Sequence, residues 1–428
     1  MKQTLVFIIA LAFAPLAALL AAPPDVVLTV PGDAATTLPP LDAYGGATTI
    51  KAEATGYFYL KGINGRWFFI TPEGHGFIPL GVNHLKSYFS GERGRLRPGE
   101  SDLVRQLDGG DLQRATDRVV AMLKDWGFNC AGYDAPPAFQ QRLPFSAGFI
   151  QVRASAVVDN VTFEDVFSPA YARDLDSRVA VLCKPLRENR HLLGYYLADL
   201  PLWGDRKFMD KEEQTRGESW LSFFRKLPDE TPGKRAYNKF IGNEQAFIAE
   251  IADQIYRLTS EAFRRRDPNH LVLGERYAGN RLFWPVIEKA AKYFPVVAVQ
   301  LGGGFDADLY RTIYRRTGRP VISVDHVVSF VTPLTPNVRG GQPLASEAEA
   351  AAVYTQYLRN AFSEPFMLGY NRCQLMSRIR MDGRPPIYKQ GLLDPQGKPY
   401  ATLVRAVRAA NHETLARLYP SSKVATHE

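Results

Sequence analysis

The chain has 428 residues, of which 46% are hydrophobic and 22% are charged. This composition is typical of a soluble globular protein and excludes a disordered, collagen-like or disulfide-scaffold chain. The 52 basic and 44 acidic residues give a formal net charge of +8, which is too small and diffuse to indicate nucleic acid as a partner. The length fits either two or three domains or one barrel domain with insertions.

Residues 1–22 are typical of a secretory signal peptide. Lys2 precedes an apolar run over residues 5–20, and the small residues Ala21 and Ala22 follow it. The run is short for a membrane span, so we expect an exported protein, periplasmic or secreted, that is free of the membrane after cleavage. A retained membrane anchor is the alternative. Residues 23–50 are rich in Pro, Thr, Ala and Gly and predict a linker or extended arm.

The three cysteines of the chain are Cys130, Cys183 and Cys373. An odd number in an exported protein leaves at least one thiol free. There is no CxxC pair, and no His lies at ligand spacing from any of them. We therefore expect three buried, apolar cysteines and predict neither a metal nor another cofactor.

Residues 51–75 predict a β-hairpin segment. The pair Asn64-Gly65 lies between two aromatic-rich runs, which is a strong hairpin signal. The run over residues 77–84 then has the pattern of a buried strand that ends in polar residues.

From there the chain alternates between strand and helix patterns. Further strands are predicted over residues 128–133, 149–153, 192–197, 271–273, 296–301, 321–324 and 365–370. Helices are predicted over residues 117–124, 170–187, 245–265, 285–292, 347–362 and 400–418. This alternation predicts an α/β fold, a (β/α)8 TIM barrel over residues 76–418, with residues 419–428 as a tail. An open doubly wound sheet is the alternative, but no GxGxxG follows the first strand.

Catalytic groups of such barrels lie at the carboxyl ends of the strands. The polar residues at those ends are Asn83, His84, Asp134, Asp199, Glu275, Gln300, Asp325, His326, Asn371 and Arg372. The aromatic residues beside them include Trp203, Tyr277 and Tyr370. Aromatic rings suit the apolar faces of sugars, and two carboxylates can supply the acid and the nucleophile of glycoside cleavage. For any single carboxylate, a structural salt bridge or a helix cap is the alternative.

Four motifs, over residues 76–84, 126–129, 267–271 and 391–394, resemble the family-50 glycoside hydrolases in type, order and spacing. This is the β-agarase family within the clan of retaining (β/α)8 glycosidases. The resemblance implies an exported barrel enzyme that cleaves a polysaccharide. It also implies a Glu after strand four as the acid/base and a Glu at the end of strand seven as the nucleophile.

The chain departs from the family pattern at both catalytic positions. Leu200 stands at the acid/base position, Asp199 precedes it where the family has Asn, and Asp325 replaces the nucleophilic Glu. In the strand-eight motif, Arg372 replaces a Trp. Leu cannot donate a proton, so we predict Asp199 and Asp325 as the catalytic pair. We predict the following as substrate-binding residues: Asn83, His84, Asp134, Trp203, Glu275, Tyr277, Gln300, His326, Tyr370, Asn371 and Arg372.

Three interpretations of function stay open from the sequence. The first is a glycoside hydrolase with a modified carboxylate pair, the second is a non-catalytic carbohydrate-binding pseudo-glycosidase, and the third is a structural or interaction protein. Arginines near the predicted cleft favour a sulfated or uronic polysaccharide over neutral agarose; they are Arg276, Arg372, Arg378, Arg380 and Arg384. Pairing of these arginines with nearby acids is the alternative. The predicted partner is a polysaccharide or oligosaccharide.

Overall fold

The computed structural model describes residues 38–90, 101–133, 135–150, 153–158, 160–338, 343–380 and 387–419. The predicted signal peptide, most of the predicted linker and tail, Asp134 and Arg384 lie outside the described residues. Within the described ranges, no helix combines the length and the apolar character that a membrane span requires.

A four-stranded antiparallel sheet comes first in the described chain. Its strands are β1 (Ala47–Lys51), β2 (Tyr59–Ile63), β3 (Arg66–Ile70) and β4 (His75–Phe77), in the order β1-β4-β3-β2. The turn predicted at Asn64-Gly65 joins β2 to β3. Both of its residues have positive φ, 49° and 75°, which is the left-handed conformation that an Asn-Gly turn accommodates.

Seven parallel strands form the central sheet of this mixed α/β structure. They are β5 (Leu80–Val82), β6 (Phe145–Ala147), β7 (Leu192–Asp199), β8 (Leu271–Ala278), β9 (Val297–Gln300), β10 (Val321–His326) and β11 (Met367–Arg372). Their order is β5-β11-β10-β9-β8-β7-β6. Because the first strand pairs with the last, the sheet curls and its carboxyl ends converge. Of the strand predicted over residues 149–153, residues 151 and 152 lie outside the described residues and the others form no strand; β6, which pairs with β7, precedes them.

The segment over residues 128–133, predicted as a strand, forms no regular strand but lies between the two edge strands. The Val82 N–H donates to the Cys130 carbonyl at 3.2 Å, on the β5 side. The Ser146 N–H donates to the Gly132 carbonyl at 2.9 Å, on the β6 side. Gly132 has φ 60°, so the backbone leaves the extended conformation there and the regular ladder stops.

Helices separate the strands and cover the outer face of the sheet. They are α1 (Lys86–Ser90), α2 (Leu103–Asp108), α3 (Leu112–Asp125), α4 (Pro169–Cys183), α5 (Arg206–Arg216), α6 (Trp220–Lys226), α7 (Pro232–Asn238), α8 (Glu244–Arg266), α9 (Trp284–Tyr293), α10 (Ala307–Thr317), α11 (Glu347–Ser363) and α12 (Ala401–Leu418). Two 3-10 turns occur at Pro137–Phe139 and Gly279–Arg281, and a small antiparallel hairpin pairs β12 (Arg378–Arg380) with β13 (Ile387–Lys389). Each predicted helix is present, with boundaries shifted by a few residues.

Two apolar cores lie on the two faces of the curled sheet. The outer core packs the sheet against the helices. The inner core contains strand residues such as Leu193 and Ile322, together with Phe69 and Phe77 of the N-terminal sheet. The N-terminal sheet therefore covers the amino ends of the parallel strands and leaves the carboxyl ends to the polar residues. All three cysteines are buried and free, as predicted.

Candidate active site

Asp325, near the end of β10, accepts hydrogen bonds from three neighbouring side chains. Asn83 donates to its Oδ1 at 2.6 Å. Gln300 and Tyr133 donate to its Oδ2 at 2.8 Å and 3.3 Å, and Arg276 Nη2 contacts the same oxygen. Burial opposes ionisation, but Arg276, His84 and Lys389 together outweigh it and hold the pKa of Asp325 well below its usual range. Asp325 is therefore an ionised carboxylate that its neighbours hold in place.

Arg276, on β8, links the two carboxylates predicted to be catalytic. Its Nη1 lies 3.7 Å from Asp199 Oδ1, while its Nη2 contacts Asp325. The guanidinium is fully buried and lies 3.9 Å from the centre of the Tyr133 ring, which adds a cation–π contact. The structure thus brings Asp199 and Asp325 together from two strands through one shared cation.

Asp199 has the opposite protonation tendency. Burial raises its pKa; Arg276 opposes the rise and the charge of Asp325 adds to it. Its Oδ1 accepts no hydrogen bond from the described residues, and the charges of Arg276, His84 and Lys389 do not offset the effect of burial. Two carboxylates whose environments move their pKa values apart are suited to separate acid and base roles.

His84 joins this cluster from the loop after β5. Its Nε2 lies 2.7 Å from the Tyr133 hydroxyl, 3.0 Å from Lys389 Nζ and 3.6 Å from Asp325 Oδ1. Lys389, the last residue of β13, is half-buried. Burial opposes its charge, but Cys373 and Asp325 together raise its pKa. Sequence reasoning missed Lys389, because no apolar pattern marks the three-residue strand that carries it.

Three residues at these strand ends have left-handed backbone conformations. The φ angles are 57° at His84, 49° at Leu200 and 49° at Asp325. Each such conformation costs a residue with a Cβ about 1–3 kcal/mol, and such strain concentrates at functional sites. The strain here coincides with the strand ends where the sequence predicted the site.

Trp203, Glu275 and Tyr277 form a separate cluster behind the sheet. Glu275 accepts hydrogen bonds from Trp203 Nε1 at 2.7 Å and from the Tyr256 hydroxyl. Burial raises the pKa of Glu275 to about 7, although these donors favour its charged form. Successive strand residues point to opposite faces, so Glu275 and Tyr277 face the helices while Arg276 faces the cleft. The structure does not bring these three predicted substrate-binding residues to the Asp199–Asp325 pair.

His326, Tyr370 and Arg372 also face away from the cleft, contrary to the prediction. His326 Nε2 donates to the Gly303 carbonyl at 2.7 Å, and its Nδ1 lies 2.8 Å from the Tyr370 hydroxyl. Burial lowers the pKa of His326 to about 3. Arg372 is fully buried and donates to the carbonyls of His326 and Val328 at 3.0 Å and 3.1 Å. The Arg372 guanidinium was predicted to face an anionic sugar, but it donates hydrogen bonds to backbone carbonyls instead.

Comparison with known proteins identifies the fold at this point. No family model matches the chain, and no curated protein matches it. Among solved structures, an agarase, AgWH50C, superposes with a TM-score of 0.73 at 17% identity, over 89% of this chain and 67% of the agarase. PfGH50B superposes with a TM-score of 0.70 at 17% identity, over 90% and 70% of the two chains. The chain has the fold of the family-50 glycoside hydrolases.

A third structure with the family-50 fold, an exo-β-agarase, gives a TM-score of 0.67 at 18% identity, over 89% of this chain and 68% of that one. The resemblance drawn from the motifs is therefore confirmed at the level of the fold. The motif resemblance predicted Leu200 at the acid/base position. Its N–H donates to the Arg276 carbonyl at 3.0 Å, and its side chain has no group that exchanges a proton. Asp199 is the neighbouring carboxylate.

Two glycines of the chain leave room for amide side chains at the strand ends. A Cβ at Gly132 would lie 2.1 Å from Asn83 Oδ1, and a Cβ at Gly81 would lie 2.1 Å from Asn371 Oδ1. Asn83 Oδ1 accepts the Tyr133 N–H at 3.1 Å. Asn83 can therefore hold Asp325 only because Gly132 has no side chain.

We expect Gly132→Ala to destabilise the fold by about 1–3 kcal/mol, since the new Cβ overpacks the site and the left-handed φ disfavours any Cβ. Urea unfolding of the purified variant measures the loss. Gly109→Ala is the matched control, because Gly109 has a φ of 64° and a Cβ there would meet nothing within 4 Å. Equal losses in the two variants would contradict the close approach of Asn83.

Two groups of described residues have donor atoms spaced for a metal ion. His84, Asp325 and Cys373 place ligand atoms within 4.8 Å of one another, and so do Asp42, Glu73 and His75. In the second group, Asp42 Oδ2 already contacts His75 Nδ1 at 2.8 Å and accepts the Thr71 hydroxyl. In the first group, Lys389 lies beside the donors.

Proposed function

We propose that the chain is a glycoside hydrolase in which Asp199 is the acid and Asp325 is the nucleophile or base. The observation that carries this proposal is the shared contact of Arg276 with both carboxylates, at the carboxyl ends of two strands of a family-50 fold. Asp325 is kept ionised and Asp199 is kept ready to hold a proton. Cleavage of a glycosidic bond needs one carboxyl group in each of these states.

The chemistry assigns one step to each group. Asp199 gives its proton to the glycosidic oxygen as the bond from that oxygen to the anomeric carbon breaks. Asp325 then either bonds to the anomeric carbon or takes a proton from the attacking water. In the first case water then attacks the anomeric carbon and gives a proton to Asp199 as the bond from that carbon to Asp325 breaks. In the second case Asp325 releases the proton to solvent and Asp199 takes one up from it. The product anomer distinguishes the two roles, because attack by Asp325 retains the configuration and direct attack by water inverts it.

The proposal includes a complete (β/α)8 barrel over residues 76–418. The segment over residues 128–133 would occupy the position of the eighth strand. The backbone hydrogen bonds of this segment to β5 and β6 support that role. It also includes export, with residues 1–22 as the signal peptide.

A complex polysaccharide is the proposed substrate. Two solved structures with this fold are an agarase and an exo-β-agarase, which supports an agar-type chain. A preference for sulfated or uronic sugars has less support, since Arg276, Arg372 and Arg378 are each at most 1% exposed. Lys389 is a half-buried cation beside the pair. Matched sulfated and desulfated oligosaccharides test that preference.

A non-catalytic carbohydrate-binding barrel is the second candidate function. Leu200 favours it, because the family-50 acid/base position carries no proton donor. The fully buried Arg276 between the two carboxylates also favours a binding function. Its charge offsets theirs, so Asp199 and Asp325 can form a rigid surface that contacts a bound sugar.

A reducing-end assay of the purified protein across a polysaccharide panel tests the proposal. We expect the wild type to release reducing ends from at least one polysaccharide, and Asp199→Asn and Asp325→Asn to reduce release to background. Asp308→Asn is the matched control, because that side chain is 98% exposed. Release that survives both substitutions would contradict the catalytic pair. Binding without release would establish the second candidate.

A further inference from the structure

Lys389 Nζ lies beside side chains that come from three different elements. It is 3.0 Å from His84 Nε2, Cys373 and Asp325 both raise its pKa, and its own charge helps to lower the pKa of Asp325. The ligand atoms of those three residues lie within 4.8 Å of one another. A nitrogen, a sulfur and an oxygen are thus gathered around one ammonium group.

We propose that Lys389 is a positioning residue whose ammonium group occupies a three-donor cation site, and that the same donors bind a divalent transition metal when the ammonium is removed. The donor set supports the choice of metal. Imidazole nitrogen, thiolate sulfur and carboxylate oxygen are the ligands of Zn²⁺, and three protein ligands with one open position make a tetrahedral site. Co²⁺ accepts the same ligand types. The site goes beyond the proposed hydrolysis and does not depend on it.

The main chain fixes Lys389 at this position. Its residue pairs with Arg378 across the β12–β13 hairpin, and its carbonyl accepts a hydrogen bond from Gln374 Nε2 at 2.8 Å. The ammonium group therefore connects the hairpin to the ends of β5, β10 and β11. These ends carry His84, Asp325 and Cys373. In the wild type the cation is the ammonium group of Lys389, which belongs to the chain. A metal ion would have to displace this group and leave its charge without partners.

Titration of Lys389→Ala with Co²⁺, followed by absorption spectroscopy, tests the proposal. We expect one Co²⁺ per chain, a sulfur-to-cobalt charge-transfer band, and at least about tenfold tighter binding than in the wild type, equivalent to about 1.4 kcal/mol. Lys389→Ala/Cys373→Ser should lose the charge-transfer band. Lys389→Met is the matched control. Its apolar side chain removes the charge but fills the space, so this variant should not gain the tighter Co²⁺ binding. Lys398→Ala removes an exposed lysine and should behave like the wild type.

Equal Co²⁺ binding by Lys389→Ala and the wild type would overturn the proposal, as would a charge-transfer band that persists without Cys373. Lys389→Ser opens the same space with a side chain that tolerates water, so it replaces Lys389→Ala if that variant does not fold. The readout is independent of turnover. A failure of hydrolysis with intact Co²⁺ binding contradicts only the proposed function, and the reverse result contradicts only the cation site.

Discussion

Arg276→Met is expected to destabilise the protein by about 3–5 kcal/mol at neutral pH, the usual cost of removing one partner of a buried ion pair. The guanidinium is fully buried against Asp199 and Asp325. Met preserves the apolar stem but removes the charge, so the ionised Asp325 loses its main counter-charge while it stays buried. Urea unfolding at fixed pH measures the loss.

The loss of stability in Arg276→Met should depend on pH. In the wild type the folded-state pKa of Asp325 is depressed, so its contribution to stability is present above its unfolded pKa and is lost as pH falls. Without Arg276, burial and repulsion raise that pKa, and the stability of the variant should fall as pH rises. Arg276→Met/Asp325→Asn removes the buried charge of Asp325 and should recover part of the loss. If Arg276→Met were as stable at pH 8 as Arg276→Met/Asp325→Asn, the role of Arg276 would be contradicted.

Glu275→Gln is expected to remove a loss of stability of about 3 kcal/mol that the wild type undergoes between pH 4.5 and about 7. Burial raises the folded-state pKa of Glu275 from 4.5 to about 7. The folded state therefore binds a proton that the unfolded state has released, and the free energy of unfolding falls as pH rises through this window. Gln keeps an acceptor for Trp203 and Tyr256 but does not titrate.

The measurement is the free energy of unfolding of Glu275→Gln and of the wild type at several pH values, taken as a difference. Glu230→Gln is the control, because that side chain is exposed. A difference that stays constant from pH 4.5 to 7 would show that Glu275 is not protonated in the folded protein.

The strand ends were predictable from sequence because polar residues follow apolar runs there. Asn83, His84, Gln300 and Asp325 meet because the carboxyl ends of parallel strands converge, which the barrel pattern already implied. The direction of each side chain was not predictable. The strand predicted over residues 271–273 extends to Ala278, and its alternation sends Glu275 outward and Arg276 inward.

Other parts of the site depend on contacts that no local pattern encodes. Lys389 and Cys373 come from short or irregular segments after β11, and they reach His84 only through the fold. The strand β6 has three residues, Phe145–Ala147, which is too short for a period-2 pattern to mark. Arg372 was expected to face substrate, but its guanidinium satisfies buried carbonyls of the loop after β10.

The dependence of kcat/KM on pH, for the polysaccharide that the wild type cleaves, tests the central claim most directly. Asp325 should stay ionised over the working range, and Asp199 must carry a proton. The account therefore predicts that kcat/KM falls as pH rises through the raised pKa of Asp199, and that Asp199→Asn has no activity at any pH. A rate that rises with pH and survives Asp199→Asn would contradict it.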